Sequence, residues 1–154
     1  MWNSVAPTSS VFTLGNDGAN NRSGDSNVAY CWSEVKGFSA FGSYTGNLST
    51  DGPFVYLGFR PRFIMFKRSD STSQWAIVDS SRSPYNQTQI WLYPNLSNAE
   101  DNNAVLAIDF LSNGFKIRST NVEVNASGGT QLYAAFAENP DRKSTRLNSS
   151  HITI

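Results

Sequence analysis

The side chains that most often do chemistry are scarce in this chain. Its 154 residues include one histidine, His151, and one cysteine, Cys31. A Ser-His-Asp triad, a Cys-His pair and a histidine-based metal site all need a histidine among their members. His151 falls in a terminal segment that does not look native, as argued below, and Cys31 sits in an apolar stretch typical of a buried, inert thiol. The sequence therefore favours none of these three chemistries and indicates no disulfide.

Carboxylates are the remaining candidates for catalysis. Asp79, Asp109, Glu34 and Glu138 lie at the ends of predicted strands, and a pair of carboxyl groups is the machinery of most glycosidases. We interpret all four as ordinary turn or strand-end residues. The favoured function is therefore that of a non-enzymatic structural or binding module. The alternative is a carbohydrate-active enzyme domain that uses carboxylates. The loop at 15–21 offers oxygen ligands but lacks the EF-hand spacing, so we predict a polar turn there, with no metal ion and no cofactor.

Aromatic side chains are the best candidates for binding a ligand. In the run Ile90-Trp91-Leu92-Tyr93, alternation puts Trp91 and Tyr93 on one face, and such rings stack on sugars. If Ile90 and Leu92 are core residues, both rings face outward. The alternative is that the rings are buried or cover a contact between repeats. Tyr85, which lies in a predicted loop, is a secondary candidate for binding a ligand.

Four cations cluster at Arg60, Arg62, Lys67 and Arg68. Arg60 and Arg62 could meet an acidic glycan or a partner chain. Outward charges on an edge strand, which block aggregation between sheets, explain the cluster as well. The terminal segment 141–154 holds three of the twelve Lys and Arg residues and one of the twelve Asp and Glu residues, so the rest of the chain is slightly acidic. Nucleic acid is therefore not an expected partner.

The composition predicts an all-β fold. Ten Phe, six Tyr and four Trp accompany many Asn, Ser, Thr and Gly residues, as expected for short strands joined by turns. Predicted strands cover 38–44, 53–59, 62–68, 74–79, 89–93, 104–110, 114–118 and 131–138. Eight short antiparallel strands predict a two-sheet β-sandwich of jelly-roll type. Nowhere do about 18 apolar residues run together, and residues 1–20 lack the pattern of a signal peptide, so neither membrane insertion nor that secretion route is indicated.

Individual strands carry more detailed signals. In 115–118, Phe115 and Ile117 should face the core while the two cations between and after them face water. The strand at 131–138 is apolar on both faces and should be central in its sheet. Trp75 and Ile77 are expected in the core. Ser-Asn-Gly at 112–114 predicts a hairpin.

A stretch near the start of the chain returns near its end. Residues 21–34 and 125–138 both follow the pattern Asn-x-Ser-Gly, then an apolar strand, an aromatic residue, a small residue and Glu. Such self-similarity indicates an array of equivalent units. We therefore interpret 1–34 as the C-terminal strands of a preceding repeat and 35–140 as one complete repeat. Both 28–34 and 132–138 should be strands with the same inward and outward phase.

The last fourteen residues have a different origin. Residues 141–151 match, codon for codon, a reading frame through a common short-read sequencing adapter, and 152–154 continue it as a sample index. Segments of this kind are excluded before the fold is considered. We expect 141–154 to be a non-native, disordered tail, and the reading frame to be truncated at both ends.

Several segments together resemble a known family. Phe41-Gly-Ser-Tyr-Thr-Gly-Asn47, Gly58-Phe-Arg-Pro61, Asp109-Phe-Leu-Ser-Asn-Gly-Phe-Lys116 and Tyr133-Ala-Ala-Phe-Ala-Glu-Asn-Pro140 are similar to an uncharacterised repeat domain of tailed-phage structural proteins, in the lectin-like sandwich class. The resemblance implies a virion or tail-fibre-like protein made in the bacterial cytoplasm. Its implied partners are neighbouring repeats, other virion subunits and a host-surface glycan. It carries over no catalytic or binding residues.

Overall fold

The structure is a computed structural model that describes residues 4–102 and 105–140. The chain divides into two compact units, one ending at Trp32 and one beginning at Ser33. The boundary predicted between two repeats follows residue 34. The repeat relationship itself stays a prediction. The expected disorder of 141–154 lies outside the described residues.

The second unit is built almost entirely from short antiparallel strands. Its elements are β1 (Ser39–Thr45), β2 (Phe54–Tyr56), β3 (Pro61–Arg68), β4 (Trp75–Asp79), β5 (Ile90–Leu92), β6 (Asp101–Asn102), β7 (Ile108–Leu111), β8 (Gly114–Ile117), α1 (Val122–Asn125) and β9 (Thr130–Ala137). One helical turn, α1, interrupts the strands. The prediction of an all-β chain with two antiparallel sheets is confirmed.

Six of the strands form a large sheet in the order β1-β9-β3-β4-β5-β6. β9 lies between β1 and β3 and pairs with both along most of its length. Its predicted central position is confirmed. β3 is also interior, because it pairs with β9 on one side and β4 on the other.

The remaining three strands form a small sheet in the order β2-β8-β7. β7 and β8 are joined by the predicted hairpin, with Leu111 opposite Gly114. The predicted alternation in β8 is confirmed: Phe115 and Ile117 are fully buried, whereas Lys116 and Arg118 are engaged in ion pairs outside the core.

The core lies between the two sheets and is rich in aromatic rings. The ring of Phe66 on β3 lies 5.7 Å from that of Trp91 on β5 and 5.6 Å from that of Phe115 on β8. Tyr44 on β1 approaches Phe115 at 6.0 Å and donates a hydrogen bond to the carbonyl of Val124. These rings join strands that are distant in sequence, so they hold the two sheets together.

On β4 the side that faces the core is the reverse of the one expected, whereas on β5 the alternative with a buried Trp91 holds. Trp91 is fully buried and the adjacent Ile90 and Leu92 are half-buried on the opposite side. On β4, Ala76 and Val78 face the core, while Trp75 is 40 % exposed and Ile77 is half-buried. Both faces of these strands are apolar, so alternation alone does not identify the inner one.

The first unit differs from the prediction made for it. No residue of 27–34 lies in a strand or helix, so the predicted strand at 28–34 is wrong. Val28 and Trp32 are exposed, Cys31 is exposed rather than buried, and the rings of Tyr30 and Trp32 stack at 6.3 Å. A strand needs a hydrogen-bonded neighbour, and an apolar sequence without one does not stay extended in a sheet.

Candidate functional site

The aromatic pair nominated from the sequence is not an exposed surface. Trp91 is fully buried, and its indole N–H donates to the carbonyl of Leu106, so of the two alternatives for this ring the buried one holds. Tyr93 packs against the core with its hydroxyl 3.4 Å from a carboxylate oxygen of Glu123. Burial, followed by the nearby charge of Glu123, raises the pKa of Tyr93 to about 12.

Tyr85, the third aromatic residue predicted to bind a ligand, is exposed. Its side chain is 83 % exposed. The next residue, Asn86, exchanges two hydrogen bonds with the backbone of Phe110, at 2.9 and 3.0 Å. This pairing fixes the loop of Tyr85 to β7, the edge strand of the small sheet.

The cationic cluster is largely engaged in contacts within the protein. Arg60 donates to the carbonyl of Phe110 and pairs with Glu138 at 2.9 Å. Arg62 is exposed and donates to the hydroxyl of Ser81 at 2.7 Å. The interpretation of these residues as edge-strand charges is wrong, because β3 is an interior strand.

The other two members of that cluster are engaged as well. The ammonium of Lys67 donates to the carbonyls of Arg68 and Ser73 at 2.8 and 2.7 Å, and Arg68 pairs with Asp70 at 2.7 Å. Arg60 therefore ties strand ends together, and of the four cations Arg62 alone offers an exposed guanidinium.

Three of the four nominated carboxylates are paired with arginines. Asp79 pairs with Arg82, Asp109 with Arg118 at 2.6 Å, and Glu138 with Arg60. Burial raises the pKa of Asp79, but hydrogen bonds from the backbone and side chain of Arg82 outweigh burial, and the net pKa lies below its usual value. A glycosidase general acid needs the opposite shift.

The polar loop at 15–21 uses its oxygens internally. The side chain of Asp17 accepts a hydrogen bond from the backbone of Ala19 at 2.9 Å, and Asn21 donates to the carbonyl of Gly15 at 2.8 Å. Within 4–102 and 105–140, no group of three or more His, Cys, Asp or Glu residues is placed to hold a metal ion. In the same ranges, no helix has the length and apolar character that crossing a membrane requires.

The outer face of the six-stranded sheet, called here the large face, is a broad apolar surface. Its outward apolar residues are Phe41, Phe63, Met65, Trp75, Ile77, Ile90, Leu92, Leu132, Ala134 and Phe136. Leu132, on β9, is 43 % exposed. Rings cluster at one side, where Phe136 lies 5.9 Å from Phe41 and 5.8 Å from Phe63. The charged residues of this face, Lys67 and Asp79, have the partners described above.

The outer face of the three-stranded sheet, called here the small face, has a different composition. Its cross-strand register aligns Phe54, Lys116 and Asp109 in one row, and Tyr56, Gly114 and Leu111 in the next. Val55, between the two rings, points into the core. Phe54 is 46 % exposed and Tyr56 is 69 % exposed.

Both rings of the small face rest against glycine backbone. A Cβ atom on Gly114 would lie 3.1 Å from Cε2 of Phe54 and 2.1 Å from the carbonyl oxygen of Val55. A Cβ on Gly58 would lie 3.6 Å from the hydroxyl of Tyr56. Both rings thus lie beside a glycine and keep substantial surface open to solvent.

A chain of ion pairs runs beside the rings. Lys116 and Asp51 are 2.8 Å apart, Asp51 and Arg118 are 3.7 Å apart, and Arg118 and Asp109 are 2.6 Å apart. The hydrogen bond from Lys116 lowers the pKa of Asp51. The side chain of Asp51 is 83 % exposed, so its carboxylate can accept further hydrogen bonds.

The loop that carries Asp51 is held by a buried side chain. Asn125, at the end of α1, is fully buried, accepts from the backbone of Asn47 at 2.8 Å and donates to the carbonyl of Ser49 at 2.8 Å. Gly52 donates its N–H to the carbonyl of Ile117, and a Cβ there would come within 2.6 Å of the same oxygen. These contacts bring Asp51 to the end of β8.

Sequence reasoning did not single out Phe54 and Tyr56. Their signal is the alternation in Phe54-Val55-Tyr56, a three-residue strand, which is too short for a periodic pattern to be distinctive. The ion pairs were not predicted either, because Asp51 is 65 positions from Lys116 in the sequence.

No curated protein and no solved structure matches this chain. A family of uncharacterised domains matches residues 1–140, a range that includes every residue of the two faces. The chain therefore belongs to the family described as a domain of unknown function, DUF7483.

Proposed function

We propose that this domain is a non-enzymatic structural and binding module of a phage virion or tail-fibre-like protein, with a lectin-like jelly-roll fold. The phage setting rests on the sequence resemblance. The single observation that carries the non-enzymatic role is the large face, an extended apolar surface of the kind that marks an interaction site. In this proposal the domain is made in the bacterial cytoplasm, resides in the particle and contacts neighbouring repeats and a host-surface glycan.

The occupant proposed for the large face is a second copy of this domain. The repeat pattern of the sequence makes another copy the nearest partner of matching chemistry. Five strands spaced about 4.8 Å apart, with about six residues each, give a footprint of roughly 500 Å². That approaches the roughly 800 Å² per partner of a stable interface. An apolar sheet face without unpaired charge fits another sheet packed about 10 Å away.

The carboxylates support the absence of catalysis. Asp79, Asp109 and Glu138 are each held by an arginine. A retaining or inverting glycosidase needs one carboxyl group that is protonated near neutral pH, and the lowered pKa of Asp79 works against that role.

The test is the oligomeric state of the full chain, measured by size-exclusion chromatography with light scattering over a range of concentrations. We expect the wild type to associate and Leu132→Glu to shift it to monomer. Leu96→Glu is the matched control, because Leu96 is 40 % exposed, close to the 43 % of Leu132, but lies in a loop. A wild type that stays monomeric at every concentration contradicts the proposed partner.

A second assay tests the non-enzymatic role directly. The full chain is incubated with bacterial polysaccharides, and new reducing ends are measured. We expect none above the buffer control. Release of reducing ends that Asp79→Asn or Asp109→Asn abolishes would establish the carbohydrate-active alternative instead.

A further inference from the structure

We infer that the small face is a binding site for neutral oligosaccharides, with Phe54 and Tyr56 stacking on sugar rings and the adjacent charged side chains hydrogen-bonding to hydroxyl groups. This inference rests on the proposed binding function and assigns it to particular residues. It concerns a different surface from the large face, where a protein partner is proposed.

The two rings have the geometry that stacking needs. Phe54 and Tyr56 are two residues apart on β2, so they project from the same side about 6.6–6.8 Å apart along the strand. Each packs against a glycine, and each is substantially exposed, at 46 % and 69 %. Aromatic side chains have few rotatable bonds, so they offer an apolar surface at low entropic cost.

The charges beside the rings argue for a ligand without charge of its own. The small face carries two carboxylates, Asp51 and Asp109, and two cations, Lys116 and Arg118, which form one continuous chain of ion pairs. The face thus has no net charge from these four groups, yet it offers both donors and acceptors. A neutral polyhydroxyl compound uses both, whereas a polyanion would meet the two carboxylates.

The size of the face favours an oligosaccharide over a protein. Three strands spaced about 4.8 Å apart and up to four residues long give a footprint of roughly 200 Å². A stable protein interface needs roughly 800 Å² on each side. An area of this size accommodates a few sugar rings laid across the strands.

The acceptor on the exposed side of the site is positioned in advance. Asp51 is held by Lys116 and by the loop contacts of Asn125. A carboxylate that already accepts from Lys116 and is 83 % exposed can take a sugar hydroxyl without reorganising. Preorganised polar groups of this kind lower the cost of binding.

The experiment uses the full chain and an array of neutral bacterial O-antigen and capsular oligosaccharides, with acidic capsular oligosaccharides on the same array. The strongest neutral binder is then titrated by calorimetry. We expect Tyr56→Ala to weaken binding about tenfold, since a stacked ring contributes about 1.4 kcal/mol. Tyr56→Phe keeps the ring and should bind within about twofold of the wild type. Tyr30→Ala is the matched control, because Tyr30 is a tyrosine of similar exposure in the first unit, at 77 % against 69 % for Tyr56.

Asp51→Asn provides a second, independent measure. It removes the charge but keeps the size of the side chain, so the fold is preserved and we expect weaker binding of neutral oligosaccharides. Circular dichroism confirms that each variant is folded.

Three results would overturn the inference: no neutral oligosaccharide binding, binding that Tyr56→Ala and Asp51→Asn leave unchanged, or a preference for the acidic series. None of these affects the association expected through the large face, whereas failure of that association leaves the sugar titration intact. The two proposals therefore fail separately.

Discussion

The two outer faces of the sandwich use aromatic residues in opposite ways. On the large face, Phe136 is surrounded by the rings of Phe38, Phe41 and Phe63 at 5.8–6.3 Å. On the small face, Phe54 and Tyr56 contact glycines and stand beside ion pairs. The large face is broad and mainly apolar, whereas the small face is narrow and carries a chain of ion pairs beside its rings.

An exposed aromatic ring therefore indicates a function only when the residues around it are also known. Rings packed on one another form a continuous apolar surface, which suits a similar surface of a partner. Rings that lie beside glycines and ion pairs leave polar groups within reach of a ligand that lies on them. In the two proposals, the same residue type serves assembly on one sheet and sugar recognition on the other.

The largest expected effect concerns the core on which both faces depend. Trp91→Ala should lower the free energy of unfolding by about 3–5 kcal/mol, because it empties a fully buried site and leaves the carbonyl of Leu106 without its donor. Trp75→Ala, on the large face at 40 % exposure, should cost about 1 kcal/mol or less. Urea denaturation measures both. Equal costs would show that Trp75 is as much a core residue as Trp91.

A smaller loss of stability is expected for substitutions on the two outer faces, and it should differ between them. Phe136→Ala should destabilise the protein by about 2 kcal/mol, since three rings lose a common neighbour. Tyr56→Ala should cost about 0.5 kcal/mol or less, because its 69 % exposed side chain buries little. Thermal or urea unfolding at low protein concentration keeps association out of the measurement. A larger cost for Tyr56 than for Phe136 would break the comparison.

The smallest expected effect is a pH dependence of stability that comes from Tyr93. This residue packs on the core, unlike the exposed rings of the small face. The pKa of Tyr93 is raised from 10.0 to about 12, first by burial and then by Glu123. The unfolded phenol therefore ionises at lower pH than the folded one. The contribution of the neutral phenol to the free energy of unfolding is fully present below pH 10. It is lost as the pH rises from 10 to about 12.

The measurement is urea unfolding at about pH 8 and about pH 11. Tyr93→Phe cannot ionise, so we expect it to lose less stability than the wild type over this interval. Identical losses in the two proteins would show that Tyr93 ionises as readily in the folded state as in the unfolded one.

Much of the fold was predictable from local patterns. The predicted strands at 38–44, 62–68 and 131–138 correspond to β1, β3 and β9, shifted by no more than one residue at either end. The alternation of Phe115 and Ile117 with cations identified the inner face of β8 correctly, because only one of its faces is apolar. The hairpin after Leu111 followed from its turn residues.

The candidate site was much less predictable. Of the five residues nominated for ligand binding, Trp91 is buried, Tyr93 packs on the core, and Arg60 is tied to Glu138 and Phe110. Tyr85 and Arg62 are exposed, and whether they bind a ligand stays a prediction. Phe54 and Tyr56 were missed because their strand is only three residues long.

The sequence by itself determined the strand content, the turns and the polarity of strands that have one apolar face. The tertiary structure decided which side of β4 and β5 faces the core, because Trp75, Ile77 and Leu92 are as apolar as Ala76, Val78 and Trp91. It also decided that 27–34 is not a strand. In both cases the deciding factor is the neighbour: a sheet face becomes the inside only when a second sheet covers it, and an extended segment becomes a strand only when another strand takes its hydrogen bonds.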